Sequence, residues 1–105
     1  MTKIEVNPGV CGFTSTITVK PAKKHLVQIN FVTDCPSLKP LEQELTEADG
    51  LKECFANIGE SNIYEVFRKY CKHAACPLPS AIIKGIEVAS GLALPKDVEI
   101  KISKD

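Results

Sequence analysis

The chain has 105 residues, 44% hydrophobic and 25% charged, and its 13 basic and 13 acidic residues cancel to a formal net charge of zero. This size and balance predict a single domain over residues 1–105 with one core, and they exclude intrinsic disorder. A neutral chain with scattered charges lacks the electrostatic footprint of a nucleic-acid or membrane-surface protein, so we expect neither as a partner. A protein partner and the oligomeric state are left open.

The cysteine content and the N-terminal residues predict a cytoplasmic protein. The first residues alternate like a strand instead of forming a signal peptide, and no apolar run is long enough to span a bilayer. Five cysteines, an odd number, favour reduced thiols over a disulfide framework. Tryptophan is absent and aromatic residues make up only 6% of the chain, which argues against a stacking platform for bases or sugars.

Three strands are predicted in the first third of the chain. Residues 3–6 alternate, and an Asn-Pro-Gly turn ends them. Residues 13–20 alternate more strongly, with threonines on one face and the apolar side chains on the other. Residues 25–33 follow after a short connection, so the last two strands form an antiparallel hairpin. The inward positions are Phe13, Ser15, Ile17, Val19, Val27, Ile29 and Phe31.

Four helical segments are predicted next, each from apolar residues at helical spacing. The first follows Pro36, the second spans about residues 51–58, the third begins after Ser61 as its N-cap, and the fourth runs over residues 77–90 up to Gly91. The inward positions are Leu38, Leu41, Leu45, Leu51, Cys54, Phe55, Ile58, Ile63, Val66, Phe67, Tyr70, Cys71, Ile82, Ile83, Ile86 and Ala89.

A final strand is predicted over residues 97–103, because Val98, Ile100 and Ile102 alternate with Glu99 and Lys101. The element order is therefore β-β-β-α-α-α-α-β. This order indicates an α+β fold, a two-layer sandwich with a mainly antiparallel sheet and helices on one face. The threonine-rich face of the sheet is expected to lie in water.

The five cysteines fall into two groups. Cys54 and Cys71 lie on the apolar stripes of their helices and are expected to be small core residues. Cys11, Cys35 and Cys76 lie in chain breaks beside glycine or proline, and the last two each precede a proline at a helix start. Because strand ends and helix starts gather at one edge of such a layer, we expect these three loops to meet.

Cys76 has the local sequence most suggestive of thiol chemistry. Pro77 fits the first helical position, which places Cys76 at or just before the N-cap. A thiol there faces unpaired backbone N–H groups and the positive end of the helix dipole. That environment favours the thiolate, which is both the nucleophile and the metal ligand.

Three functions remain open from the residues. The first is a metal or iron–sulfur site, with zinc or iron held by Cys11, Cys35 and Cys76 and with Cys71 or His73 as a fourth ligand. The second is a sulfur or redox carrier, with Cys76 as the reactive thiol and Cys35 as its resolving partner. The third is a structural or interaction protein without chemistry. No hydrolase or nucleotide-binding motif is present, so no enzymatic activity is assigned.

Residues 76–79, Cys-Pro-Leu-Pro, precede a helix carrying Lys84 and then the predicted strand at residues 97–103. This arrangement resembles the Cys-Pro-x-Pro segment of the small sulfur-carrier proteins of the TusA/SirA type. In that family the cysteine at the helix start carries a persulfide and passes its sulfur to the next protein. The resemblance implies Cys76 as the carrier, with Pro77 and Pro79 as its rigid setting.

The hallmark segments of the chain lie at residues 7–13, 34–36, 73–77 and 92–98. On these segments, and over nearly its full length, the chain resembles a small uncharacterised family, a domain of unknown function, of anaerobic bacteria and archaea. The resemblance implies no established activity. It supports the grouping of Cys11, Cys35 and Cys76.

Overall fold

The structure is a computed structural model that describes all residues from Met1 to Asp105. Its single sheet has four antiparallel strands in the spatial order β1-β2-β3-β4. The strands are β1 (Thr2–Val6), β2 (Ser15–Pro21), β3 (Leu26–Thr33) and β4 (Glu47–Asp49). Ile17 of β2 pairs with Ile4 of β1 on one side and with Phe31 of β3 on the other. Alternation of apolar side chains therefore places one buried face along the whole sheet.

A helical layer covers that face. It consists of a 3-10 helix (Pro36–Leu38) and the helices α1 (Leu41–Glu44), α2 (Gly50–Phe55), α3 (Asn62–Tyr70) and α4 (Leu78–Ala89). The Asp49 carboxylate accepts the N–H groups of Leu51 and Lys52 to start α2, and the Ser61 hydroxyl accepts that of Tyr64 to start α3. These are the N-caps that satisfy unpaired N–H groups at a helix start. The predicted α+β fold with an antiparallel sheet is confirmed.

The core lies between the sheet and the helices. Fourteen buried hydrophobic residues form one cluster. The rings of Phe31 and Phe67 meet edge to face in it, with centroids 6.1 Å apart and planes at 75°. Helix α4 contributes Ile82 and Ile86, both fully buried, and packs across β1 and β2. The side chains of Thr16 and Thr18 point away from this core, on the face that no helix covers.

The first predicted helix is not one continuous helix. The chain from Pro36 to Leu45 forms a 3-10 helix and one turn of α1, and β4 follows. Pro40 has no N–H to donate to the carbonyl of Pro36, and its ring crowds the preceding turn, so a continuous helix cannot pass it. The apolar spacing was nevertheless informative, because Leu38, Leu41 and Leu45 are all buried.

The second predicted helix is too long at its C-terminal end. Helix α2 ends at Phe55, which is 74% exposed, and Ile58 beyond it is 90% exposed. Neither contributes to the core, although both fit the helical spacing.

The predicted final strand is absent, and the fourth strand is β4 instead. No helix or strand follows α4, and Val98, Ile100 and Ile102 are 59%, 73% and 91% exposed. Alternation specifies a strand only where a sheet edge and an apolar surface receive it, and this segment pairs with no strand of the sheet and leaves its apolar side chains exposed. None of the four α-helices has both the length and the apolar character needed to cross a bilayer.

Candidate thiol site

Three cysteines lie at the ends of helical elements in the layer that covers the sheet. Cys35 is the N-cap of the 3-10 helix, Cys71 is the C-cap of α3, and Cys76 comes one residue before Pro77, the N-cap of α4. All three are half-buried, carry free thiols and pack against the core cluster. Three of the predicted site residues therefore lie in this layer: Cys35, Cys76 and Cys71, the last of which was predicted as one of two possible fourth ligands.

The connection between α3 and α4 holds Cys71 and Cys76 around one carbonyl. The His73 carbonyl accepts the N–H of Cys76 at 3.1 Å and the thiol of Cys71 at 3.6 Å. The N–H of Cys71 donates to the carbonyl of Phe67 at 2.7 Å, which closes the last turn of α3. Residues 71–76 are thus a tight loop with a thiol at each end. The carbonyl of His73 organises this loop, while its imidazole is exposed.

Burial raises the pKa of the Cys76 thiol to about 11. The N–H of Leu78 acts in the opposite direction, while the neighbouring thiols of Cys71 and Cys35 raise the pKa further. The prediction that the helix start favours a thiolate is therefore wrong. The residue between Cys76 and the helix is Pro77, which has no N–H, so a single backbone donor reaches the sulfur and desolvation outweighs it.

Both Cys71 and Cys35 raise the pKa of Cys76, so the loop of residues 71–76 lies beside a second segment of the chain, the one that carries Cys35. No lysine, arginine or histidine contributes to the shift. The three sulfur atoms therefore lie near one another without a cationic side chain that would stabilise their ionised forms.

A buried hydroxyl positions Cys35. The Thr33 hydroxyl accepts the N–H of Cys35 at 3.1 Å and the hydroxyl of Ser15 at 2.8 Å. The N–H of Thr33 donates to the Glu42 carboxylate at 3.0 Å, an interaction that lowers the pKa of Glu42. Thr33 is 1% exposed. No local pattern marks Thr33 as a positioning residue, because in the sequence it is only the last residue of a predicted strand.

Cys11 lies apart from this group, exposed on the loop between β1 and β2. The N–H of Gly12 donates to the carbonyl of Gly9 at 3.0 Å and closes the turn that carries it. At the base of the same loop, the Thr14 hydroxyl donates to the Asp34 carboxylate at 2.9 Å, next to Cys35. The loop of Cys11 therefore starts at the same end of the sheet, but Cys11 does not contribute to the pKa shift of Cys76.

Cys54 is a fourth half-buried thiol, in a separate place on α2. Burial raises its pKa to about 11, and the carboxylates of Glu87 and Glu53 raise it further. No other cysteine contributes to that shift. Cys54 and Cys71 were both expected to be core residues. Both pack against the core without being fully buried, and Cys71 also belongs to the group around Cys76.

The side chains form no group of three or more histidine, cysteine, aspartate or glutamate residues already arranged to hold a metal ion.

Comparison with known proteins identifies the family of this chain. The searches of curated proteins and of solved structures found no match. A family model described as a family of unknown function, DUF6951, matches residues 2–102. The match covers all four strands, all four α-helices and every cysteine. The chain therefore belongs to the DUF6951 family.

Proposed function

We propose that this protein binds a soft transition-metal ion, zinc or iron, through the thiolates of Cys35, Cys71 and Cys76, with iron held either as a single ion or in an iron–sulfur cluster. The observation that supports the proposal is the effect of Cys35 and Cys71 on the pKa of Cys76. Two segments far apart in sequence supply these thiols, the loop of residues 71–76 and the start of the 3-10 helix at Cys35. Thiolate sulfur is the ligand that zinc and iron–sulfur clusters prefer.

The electrostatics of the group favour a cation. Ionising three neighbouring thiols without a counter-charge is unfavourable, which agrees with the raised pKa of Cys76. A divalent ion supplies that charge and deprotonates the thiols it binds. Each thiol releases one proton as its metal–sulfur bond forms, so the affinity increases with pH.

The fourth ligand would come from one of the two exposed residues predicted as ligands. A tetrahedral site takes four ligands. His73 lies within the loop that joins Cys71 to Cys76, and Cys11 lies on the loop anchored beside Cys35 through Thr14. Because the ligand set is not preformed, binding requires rotation of the thiol side chains and adjustment of these loops. Such loops tolerate that movement better than helices do.

The same observations disfavour the sulfur-carrier alternative. A pKa of about 11 for Cys76 leaves only about one thiol in ten thousand ionised at pH 7. A carrier needs an exposed, low-pKa thiol, whereas Cys76 is half-buried among other thiols. A metal-thiolate protein with five free cysteines fits the reducing cytoplasm, where thiols stay unoxidised.

Metal analysis of the reduced, anaerobically purified protein tests the proposal. After reconstitution with Zn²⁺ or Fe²⁺ and removal of free ion, we expect about one zinc site or one iron centre per chain. Substitution of serine for Cys35, Cys71 or Cys76 should abolish tight binding. Cys54→Ser is the matched control, because Cys54 is also half-buried with a raised pKa but has no thiol neighbour that affects it.

Two further variants identify the fourth ligand. Either His73→Ala or Cys11→Ser should weaken binding while the other leaves it unchanged. Failure of the reconstituted wild-type protein to retain zinc or iron contradicts the proposal and favours a structural role. An equal loss of metal binding in Cys54→Ser would also contradict the proposal, because binding would then not depend specifically on Cys35, Cys71 and Cys76.

A further inference from the structure

The outer edge of β1 is unpaired. The sheet order places β1 outermost, so one side of its main chain has no strand beside it. Its core-facing side chains, Ile4 and Val6, pack against the core cluster yet remain only partly buried. On the opposite face, Lys3 and Glu5 form an ion pair at 2.9 Å. The edge of β1 therefore has free backbone N–H and C=O groups. One of its faces is apolar and only partly covered, and the other carries one positive and one negative side chain.

The segment at residues 97–103 has the complementary pattern. Val98, Ile100 and Ile102 are all exposed. Glu99 and Lys101, between them, form an ion pair at 3.0 Å. This segment carries a row of apolar side chains and a row of charges, as β1 does, and it contributes to no helix or strand of its own chain.

We propose that residues 97–103 of one chain add as a strand to the free edge of β1 in a second copy. In a two-fold dimer each chain donates one strand and receives one, so the contact is closed and the free β1 edge of each copy is covered. The exposed apolar side chains would then lie beside Ile4 and Val6, over the helical layer of the partner. Main-chain hydrogen bonds along the strand would supply further binding free energy.

With Ile100 placed beside Ile4, the charged side chains favour a parallel strand over an antiparallel one. With Ile100 beside Ile4 and the strands parallel, Glu99 lies beside Lys3 and Lys101 lies beside Glu5. The same register places Ile102 beside Val6 on the core side. The four pairs along Lys3 to Val6 are then either apolar or of opposite charge, and such pairs stabilise a sheet.

An antiparallel strand centred on the same pair of isoleucines is disfavoured. It would place Lys101 opposite Lys3 and Glu99 opposite Glu5. Like charges directly opposite one another destabilise a sheet. Among the arrangements that place Ile100 beside Ile4, charge complementarity therefore favours the parallel one.

Sedimentation equilibrium of the full chain, with its thiols reduced, tests the dimer. We expect a species of twice the 11.4 kDa chain mass. Ile100→Lys should increase the dimer dissociation constant about tenfold or more, because it removes a central apolar pair. Ile100 is 73% exposed within its own chain, so this variant folds. Leu94→Lys is the matched control, since Leu94 is 88% exposed and lies outside the paired segment, and it should leave the dimer intact.

Charge reversal tests the register. The double variant Glu99→Lys/Lys101→Glu should weaken the dimer, and adding Lys3→Glu/Glu5→Lys to it should restore the wild-type affinity. Strengthening by the first pair of substitutions would overturn the parallel register. A monomer at every concentration would overturn the proposal, as would a dimer insensitive to Ile100→Lys. Protection of the 97–103 amides from hydrogen exchange in a monomer would assign the strand to its own chain instead.

Discussion

Gly85 of α4 lies directly against the side chain of Ile4 in β1. A Cβ atom at position 85 would overlap the Cγ1 and Cδ1 atoms of Ile4. Glycine in a helix interior is less favourable than alanine by about 1 kcal/mol, so its presence here is explained by the close approach of α4 to the sheet. This approach buries Ile82 and Ile86 and sets the position of the N-terminus of α4, where Cys76 lies.

Gly85→Ala should lower the free energy of unfolding by about 1–2 kcal/mol, because the overlap with Ile4 outweighs the better helix propensity of alanine. Urea denaturation measures this change. In the double variant with Ile4→Ala, the space for the new methyl group is available, so the two effects should be less than additive by about 1 kcal/mol. Unchanged or increased stability of Gly85→Ala would show that α4 can move away from β1.

Thr33→Val should lower the free energy of unfolding by about 1–3 kcal/mol, because it leaves the N–H of Cys35 and the hydroxyl of Ser15 without their acceptor. Thr18→Val is the same chemical change on the uncovered face of the sheet and should alter stability by less than about 0.5 kcal/mol. If Cys35 is a metal ligand, Thr33→Val should also weaken zinc binding by about tenfold or more. Equal stability of Thr33→Val and Thr18→Val would show that the Thr33 hydroxyl does not position Cys35.

Glu53→Ala should destabilise the protein by about 1.5–3 kcal/mol, because the Glu53 carboxylate accepts the N–H of Ile63 at 3.1 Å where both residues are buried. Glu53→Gln keeps an acceptor oxygen and should therefore lose less stability than Glu53→Ala. Glu65→Ala changes an exposed carboxylate in the same first turn of α3 and should cost less than about 0.5 kcal/mol. Chemical denaturation, with hydrogen exchange at Ile63, distinguishes the three.

The raised pKa of Cys76 predicts a loss of stability at high pH in the metal-free protein. A folded pKa of about 11 exceeds that of an unfolded cysteine, about 8.5. The favourable contribution of the protonated thiol is therefore fully present below the unfolded pKa, and it is lost as the pH rises toward the folded pKa. Because Cys76 is only half-buried, solvent screening limits the effect to roughly 1 kcal/mol.

Comparison of variants isolates that effect from the titration of lysines and tyrosines. Denaturation of wild type and of Cys76→Ala at pH 8 and at pH 10.5 should show a smaller decrease in the variant. Cys11→Ala removes an exposed thiol, and its free energy of unfolding should decrease between the two pH values as much as that of wild type. Identical decreases in all three proteins would mean that Cys76 ionises as readily in the folded chain as in the unfolded chain.

Local patterns were sufficient for much of the fold. Alternation in residues 13–20 and 25–33 predicted the hairpin and its buried side chains, among them Ile17, Val19 and Phe31. Ser61 was correctly predicted as the N-cap of α3. Two local patterns failed: Pro40 interrupted a helical spacing, and residues 97–103 had a strand pattern but paired with no strand of their own chain.

Local sequence was enough to predict which cysteines stand at chain breaks, that Cys76 comes just before a helix, and that the fold is α+β. These properties depend on residues close together along the chain, through backbone geometry and side-chain periodicity. The packing of distant segments places Cys71 and Cys35 near Cys76 and Cys11 apart from them, and it raises the pKa of the Cys76 thiol by burial. Desolvation and the approach of other thiols depend on segments far apart in sequence, and here they outweigh the local effect of the helix start.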